Sequence, residues 1–511
     1  MSTDQVVDAP PVRWPRGPGG LIEVLRVAIP LMISTGCLSL VLFVDRTLLL
    51  RYDGAAMSAA MAAGNFFWST ICLPLGIASM TGAFVAQYVG VGHKERVGRL
   101  LWQAVFLSIL TLPVWLVVGM FAKNLFSWSG QPENLLELEA TYLRVLMFGA
   151  TASILDAALS GFFSGTHRTL TVMWINIAAA ILNLLLDIPL IFGWGLIPAM
   201  GIAGAATASV ICFWFKVVVY GVLLARRSIR QDYGITREIC WDGLLIRRLL
   251  FFGFPAGLQY LMEAGAFTVI VLQIGQLGNA ALQATTMAIN FNMIAFVPMA
   301  GISIAASVLV GHHLTRTGAT AARRAAFTAL GLGLVYSALW GSLYLLAPEW
   351  LLSLYEVAVT PGADPAMAAS VQEAHAEELQ SIALAKNLLR FVAAYVLLDS
   401  TQMILAGVLR GAGDTWYVLG ATTAASVVAL VLGVIFEPSD GSLLHWWYVI
   451  TGWIWFLALL MASRFIRGAW LEKRLVEPDF IQTSTATAKA VKAAGGAPPS
   501  GRTFDRYDPH E

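Results

Sequence analysis

Five carboxylates, Asp45, Asp156, Asp187, Glu263 and Asp399, stand in stretches of the chain that are otherwise almost free of charge. An ionisable side chain at the centre of a bilayer costs roughly 2.5–3.5 kcal/mol, so it persists where it faces a bundle interior or an aqueous cavity. Two carboxylates sharing an apolar setting repel each other and resist ionisation, which lets such a pair load and release a proton near neutral pH. With uncharged oxygens beside them, the same acids can instead hold a desolvated Na⁺. Either chemistry requires elements that bring acids from distant parts of the chain to one depth in the membrane.

The composition supplies those elements. Of 511 residues 58% are hydrophobic and 12% charged, where a soluble domain carries about 25% charged residues. A net charge of +1 offers no field for nucleic acid. Cys37, Cys72, Cys212 and Cys240 show no CxxC or Cys/His ligand spacing, so neither disulfides nor zinc is indicated. The first 20 residues are rich in Pro and Gly and lack a signal-peptide cleavage pattern. No HExxH, GxSxG or intramembrane His cluster is present, so the chain does not read as an enzyme.

A bilayer core needs roughly 20 apolar residues per helix. Segments of that kind lie near 21–50, 56–90, 101–122, 142–166, 170–194, 201–225, 249–277, 282–314, 325–347, 386–410, 416–436 and 444–466. Lys and Arg gather in alternate loops, as at Lys94, Arg96 and Arg99, Arg226 to Arg237, Arg316 to Arg324, and Arg464 to Arg474. The other loops are neutral or acidic, with Glu133, Glu137 and Glu139, then Glu349 to Glu378, then Glu437 and Asp440. By the positive-inside rule the basic loops face the cytoplasm, giving twelve spans with both termini inside. The long acidic loop 348–385 has room for a short surface helix.

The second half repeats the first. A shift of about 225 positions lays Pro30 on Pro255, Asn65 on Asn290 and Gly76 on Gly301; one about 21 larger lays Gly161 and Gly165 on Gly407 and Gly411. Six helices per repeat leave the copies in the same orientation. The expected fold is therefore an all-α membrane protein of about twelve transmembrane helices in two pseudo-symmetric lobes around a central cleft. The organisation reads as an amino-terminal tail over 1–20, an amino lobe over 21–225, a linker over 226–248, a carboxyl lobe over 249–475 and a disordered tail over 476–511.

At 1.5 Å per helical residue, Asp45 lies roughly 8 Å and Asp187 roughly 10 Å below the outer edge, so the two can meet. Asn183, one turn from Asp187, with Ser209 and Thr207 from the sixth span, would complete an amino-lobe cation site. Glu263 and Asp399 share a depth of about 20 Å in the other lobe. Gln259, Tyr260, Asn290, Phe291 and Met293 are candidates to line the cleft. The plain alternative is that each acid pairs locally, with Arg46 and Arg390 as conceivable partners. Asp156, lacking a depth-matched acid in its own half, is read as a packing residue.

The motifs VAIPLMIS followed by VDRTLL, GFP followed eight residues later by Glu263, INFNMIAFVPMAGISIAASVLVGHHL, and LDSTQMILAGVLRGAGDT together resemble the multidrug and toxic compound extrusion (MATE) family, nearest its NorM-like bacterial branch. The resemblance covers about Arg26 to Arg467. It implies cation coupling and drug binding at Asp45, Glu263 and Asp399, and a proton or Na⁺ site completed by Asn183 and Asp187. Arg46 departs from it, standing where a Thr is expected, as does the lengthened 348–385 loop. The implied protein is a monomeric, multi-pass antiporter of the bacterial inner membrane, without cofactors. It would export small, often cationic organic compounds against H⁺ or Na⁺ by alternating access, with Na⁺ held at Asp45, Asn183 and Asp187 or at Glu263 and Asp399. The cleft acids would open into a water-reachable chamber where ion and guest compete. A lipid-linked saccharide flippase of the same superfamily would favour a basic cavity, and the charges here are mainly acidic. A non-transporting receptor would use the same cleft and differ only in lacking counterflow.

Overall fold

The structure is a computed structural model that describes residues 17–128, 133–195, 198–353, 365–438 and 442–477. Among these, twelve helical segments are long and apolar enough to cross a membrane. They are α1 (Leu21–Tyr52), α2 (Gly54–Val91), α3 (Lys94–Met120), α4 (Leu135–Gly165), α5 (Thr169–Phe192), α6 (Ile202–Ala225), α7 (Gly243–Gly275), α8 (Asn279–Arg316), α9 (Ala319–Leu346), α10 (Gln380–Ala412), α11 (Thr415–Ile435) and α12 (Leu443–Arg467). The second pauses at Met80 and the third at Thr111.

The acidic loop contributes more helix than its composition promised. A short helix covers Pro348–Leu352, and α10 is the latter part of a helix that begins at Pro365 and runs for 48 residues. At 1.5 Å per residue such a rod is about twice as long as a bilayer core is thick, so its first turns project beyond the apolar zone. Residues 354–364, with Glu356 and Asp364, lie outside the described residues.

Glycine sets how closely the helices pack. Within the first lobe, Gly161 and Gly165 of α4 lie on the backbone of Gly82 in α2; within the second, Gly407 and Gly411 of α10 lie on Ser303 and Ser307 of α8. Small residues at such crossings let backbones approach, the usual basis of helix association in membranes. The lobes join by the same device. Gly76 of α2 meets Gly257 of α7, and Gly301 of α8 meets Leu31 and Met32 of α1, so closely that a methyl at Gly301 would stand 2.5 Å from the Met32 nitrogen. The superposition that pairs Pro30 with Pro255 pairs Gly76 with Gly301 and Met32 with Gly257, so the interlobe joint is one contact made twice.

Both joints lie toward the end of the molecule where the basic loops gather. Further contacts reinforce that end. His313 of α8 lies 3.1 Å from Glu23 of α1, and the Thr328 hydroxyl donates to the Gly19 carbonyl at 3.0 Å. The Gln87 amide of α2 donates to the Gly411 carbonyl at 2.8 Å and accepts from the Leu475 nitrogen at 2.8 Å, while the Tyr88 hydroxyl donates to Glu477 at 2.7 Å. Val476 and Glu477, expected to open a disordered tail, are instead packed under both lobes; 478–511 lie outside the described residues. Farther along these helices, toward the acidic end, the close glycine packing is not continued. Gly36, one turn beyond Met32, and Gly64 and Gly265 have nothing within 4 Å of where a Cβ would stand.

Candidate functional site

Helix α5 presents Asn183 and Asp187 on one face, one turn apart, and α1 brings Asp45 against them. The three are almost completely enclosed, at 1%, 0% and 4% exposure. With its amide turned to satisfy its neighbours, the Asn183 nitrogen donates to Asp45 Oδ1 at 2.9 Å and to Asp187 Oδ2 at 3.1 Å. Ser209 of α6 donates to Asp45 Oδ2 at 3.3 Å. Asp187 Oδ1 has no partner in the protein. The depth match read from the sequence therefore corresponds to a real juxtaposition of Asp45, Asn183, Asp187 and Ser209. Thr207 does not join them: its hydroxyl is half-buried and bonds the Ala203 carbonyl of its own helix at 2.7 Å.

The setting differs from expectation in one respect. These acids do not open into the cleft but turn into the interior of the lobe, between α1, α5 and α6. Tyr142 of α4, which the sequence reading missed, is buried within the field of both carboxylates, and Arg46 acts on Asp45 from a half-buried position. Cys212 of α6 lies against Asn183.

In the second lobe the acids are held more loosely. Glu263 of α7 is half-buried and accepts from the Gln259 amide, one turn away, at 2.9 Å. Asp399 of α10 is buried and accepts from Gln402 at 3.1 Å. The two acids feel each other's charge but share no bridging donor. Arg410, near the basic end of α10, donates to the Tyr260 hydroxyl at 2.8 Å, lies 5.6 Å from the Tyr260 ring centre, and acts on Glu263. Asn290 and Met293 are exposed on α8, whereas Phe291 faces the core and its carbonyl accepts from Tyr344 at 2.9 Å. Phe291 is thus a packing residue rather than part of the cleft lining.

Asp156 has a partner that the sequence reading overlooked. Lys216, alone in the apolar run of α6, donates to Asp156 Oδ2. The signal was a single lysine in mid-span, as costly there as an acid. Among the described residues no three of His, Cys, Asp and Glu gather as a metal-binding group.

Two six-helix repeats, joined tightly at the basic end, with buried acids in each lobe, define a membrane transporter of the parallel-repeat class. Comparison with known proteins narrows this. The MatE family profile matches residues 30–188 and 255–435, once in each lobe and beginning at Pro30 and Pro255, the very pair that the repeat superposes. The chain belongs to the MatE family. It is 29% identical over 450 residues to the probable multidrug resistance protein NorM of Burkholderia mallei, covering 87% of this chain and 92% of that one. It is 30% identical over 407 residues to the multidrug resistance protein PmpM of Pseudomonas aeruginosa, covering 77% and 79%. In fold it is similar to the crystal structure of the eukaryotic MATE transporter AtDTX14, with a TM-score of 0.75 at 17% identity over 91% of this chain and 98% of the other.

Proposed function

We propose that this protein is an efflux antiporter of the cytoplasmic membrane that exports small organic cations in exchange for protons, acting as a monomer with its basic loops and both termini in the cytoplasm. The names of its relatives support multidrug substrates, and the tight joint at the basic end supports a state closed on that side in an alternating-access cycle.

One observation carries the choice of proton over Na⁺. Asp45 and Asp187, almost completely enclosed, meet beside Asn183 and Ser209. Two enclosed carboxylates in such a setting repel each other, and one proton held between them relieves that repulsion. Asp45 also stands on α1, the helix whose Leu31 and Met32 carry Gly301 of the other lobe. A proton gained at Asp45 is thereby felt at the interlobe joint without entering the cleft. Glu263, half-buried, and Asp399 supply the negative charge that attracts a cationic guest.

The test is transport in proteoliposomes with pH and Na⁺ gradients imposed independently. A pH gradient alone is expected to drive export of a cationic dye; drive by a Na⁺ gradient at uniform pH, with none from protons, would overturn the reading.

A further inference from the structure

Between the α1–α5 carboxylates and the basic end lies the Lys216–Asp156 pair, which the coupling site does not use. Both side chains sit within spanning helices and largely out of solvent. A desolvated ion pair is no better for stability than two apolar side chains of similar volume, so a packing role alone gives no reason for charges at this depth.

The neighbours of the pair give one. Helix α6 aligns Ser209, Cys212, Lys216 and Tyr220 on one face at helical spacing. Ser209 donates to Asp45; Cys212 lies against Asn183 and within the fields of Asp45, Asp187 and Lys216; Lys216 holds Asp156; the charge of Asp156 reaches Tyr220. The row starts at the coupling site and ends at Tyr220, about 8 Å from the basic end of α6 at 1.5 Å per residue. Three buried polar atoms along it, Asp187 Oδ1, Asp156 Oδ1 and the Tyr220 hydroxyl, have no hydrogen-bond partner in the protein. Such atoms take their partners from water, and these three stand at successive depths from the coupling site toward the basic end.

We infer that this row is the exit route of the coupling proton, with Asp156 as the relay and Lys216 as the group that positions it. The passage balances atom by atom. An O–H bond on the Asp45–Asp187 pair breaks as one forms on water; the water chain delivers a proton to Asp156 Oδ1; Asp156 then yields it to water beside the Tyr220 hydroxyl. Lys216 remains an ammonium throughout, releasing Asp156 while it is neutral and recapturing it when its charge returns. The inference rests on proton coupling at the α1–α5 site, and neither Lys216 nor Asp156 touches the exported compound.

The experiment uses the full-length protein in proteoliposomes with ethidium as the probe, measured in two ways: export driven by a pH gradient, and ethidium counterflow with no gradient, which needs no proton movement. The double variant Asp156→Asn/Lys216→Met, which removes both charges together, is expected to slow gradient-driven export by about a hundredfold or more, the scale of a lost proton-transfer group, and to leave counterflow unchanged. Lys216→Arg should retain most of the driven rate, since it keeps the positioning charge. Tyr220→Phe deletes only a hydroxyl and keeps the ring packing, so it reports even where the double variant does not fold; it should slow driven export severalfold with normal counterflow. Driven export at the wild-type rate in the double variant or in Tyr220→Phe overturns the relay, as does equal loss of both readouts, which would make the pair structural. A wild-type protein indifferent to pH gradients would instead sink the proton-coupled reading itself.

Discussion

The two lobes share a scaffold but not a chemistry. Glycine contacts recur at equivalent positions in both halves, α4 on α2 as α10 on α8, and Gly76 as Gly301. The acids do not recur. The same superposition sets Asp45 opposite Ile270, Glu263 opposite Leu38, Asp399 opposite Ser153 and Asp156 opposite Gln402. Positions that hold backbones together tolerate little change, whereas each lobe has acquired carboxylates at its own sites. The outcomes also differ in kind. The amino-lobe acids are closed upon one amide inside the lobe; in the carboxyl lobe Glu263 is half-buried beside Tyr260 and Arg410, with Asp399 held apart. A sealed cluster suits a small ion, and a half-open one suits a guest of variable shape.

The comparison breaks first, and most visibly, at the acids. Asp45→Asn and Asp187→Asn are expected to abolish gradient-driven dye efflux from energised vesicles for every substrate, because the ion cycle is lost. Glu263→Gln should spare the cycle and weaken cationic substrates by about tenfold in Kd, the worth of one charge contact of roughly 1.4 kcal/mol, while neutral substrates are little changed. Uniform loss across substrates for Glu263→Gln, or substrate-selective loss for Asp45→Asn, would erase the division of labour.

A second, smaller effect tests the shared scaffold. Gly76→Leu and Gly301→Leu place a side chain into backbone of the opposite lobe, and overpacking of this kind costs about 1–3 kcal/mol. Both should disfavour the closed basic end to a similar degree, read as raised accessibility of cysteines introduced there. Gly64→Ala, with nothing within 4 Å of the added atom, should show none of this. Unequal effects of the two leucines would mean that the joint is not a true repeat.

How much of this was legible in the sequence follows from what a hydropathy pattern records. Length, apolar run and loop charge place a residue along a helix, so the twelve spans, the repeat and the meeting of Asp45 with Asp187 were all readable as depths. Rotation about the helix axis is not recorded when a span is apolar all round. Depth alone therefore places Phe291 in the cleft although it faces the core, Thr207 at a site that its hydroxyl never reaches, and the amino-lobe acids at an open chamber although they turn inward. Lys216 was a different failure. Its depth is as plain as that of any acid, and a lone cation in mid-span calls for a carboxylate beside it, which is Asp156.

The smallest predicted effect separates two hydroxyls on α6 that depth alone makes equivalent. Ser209 donates to Asp45 at 3.3 Å, while Thr207 spends its proton on the Ala203 carbonyl. A hydrogen bond to a charged group contributes about 1.5–3 kcal/mol and a neutral one about 1 kcal/mol, and at 3.3 Å the Ser209 bond belongs near the lower end of that range. Ser209→Ala should thus shift the pH at which driven efflux is half-maximal, because Asp45 loses a hydrogen-bond donor. Thr207→Ala removes no contact with an acid and should leave the midpoint in place, so an equal shift in both variants would show that Asp45 responds to the general polarity of α6 and not to a hydrogen bond from one residue.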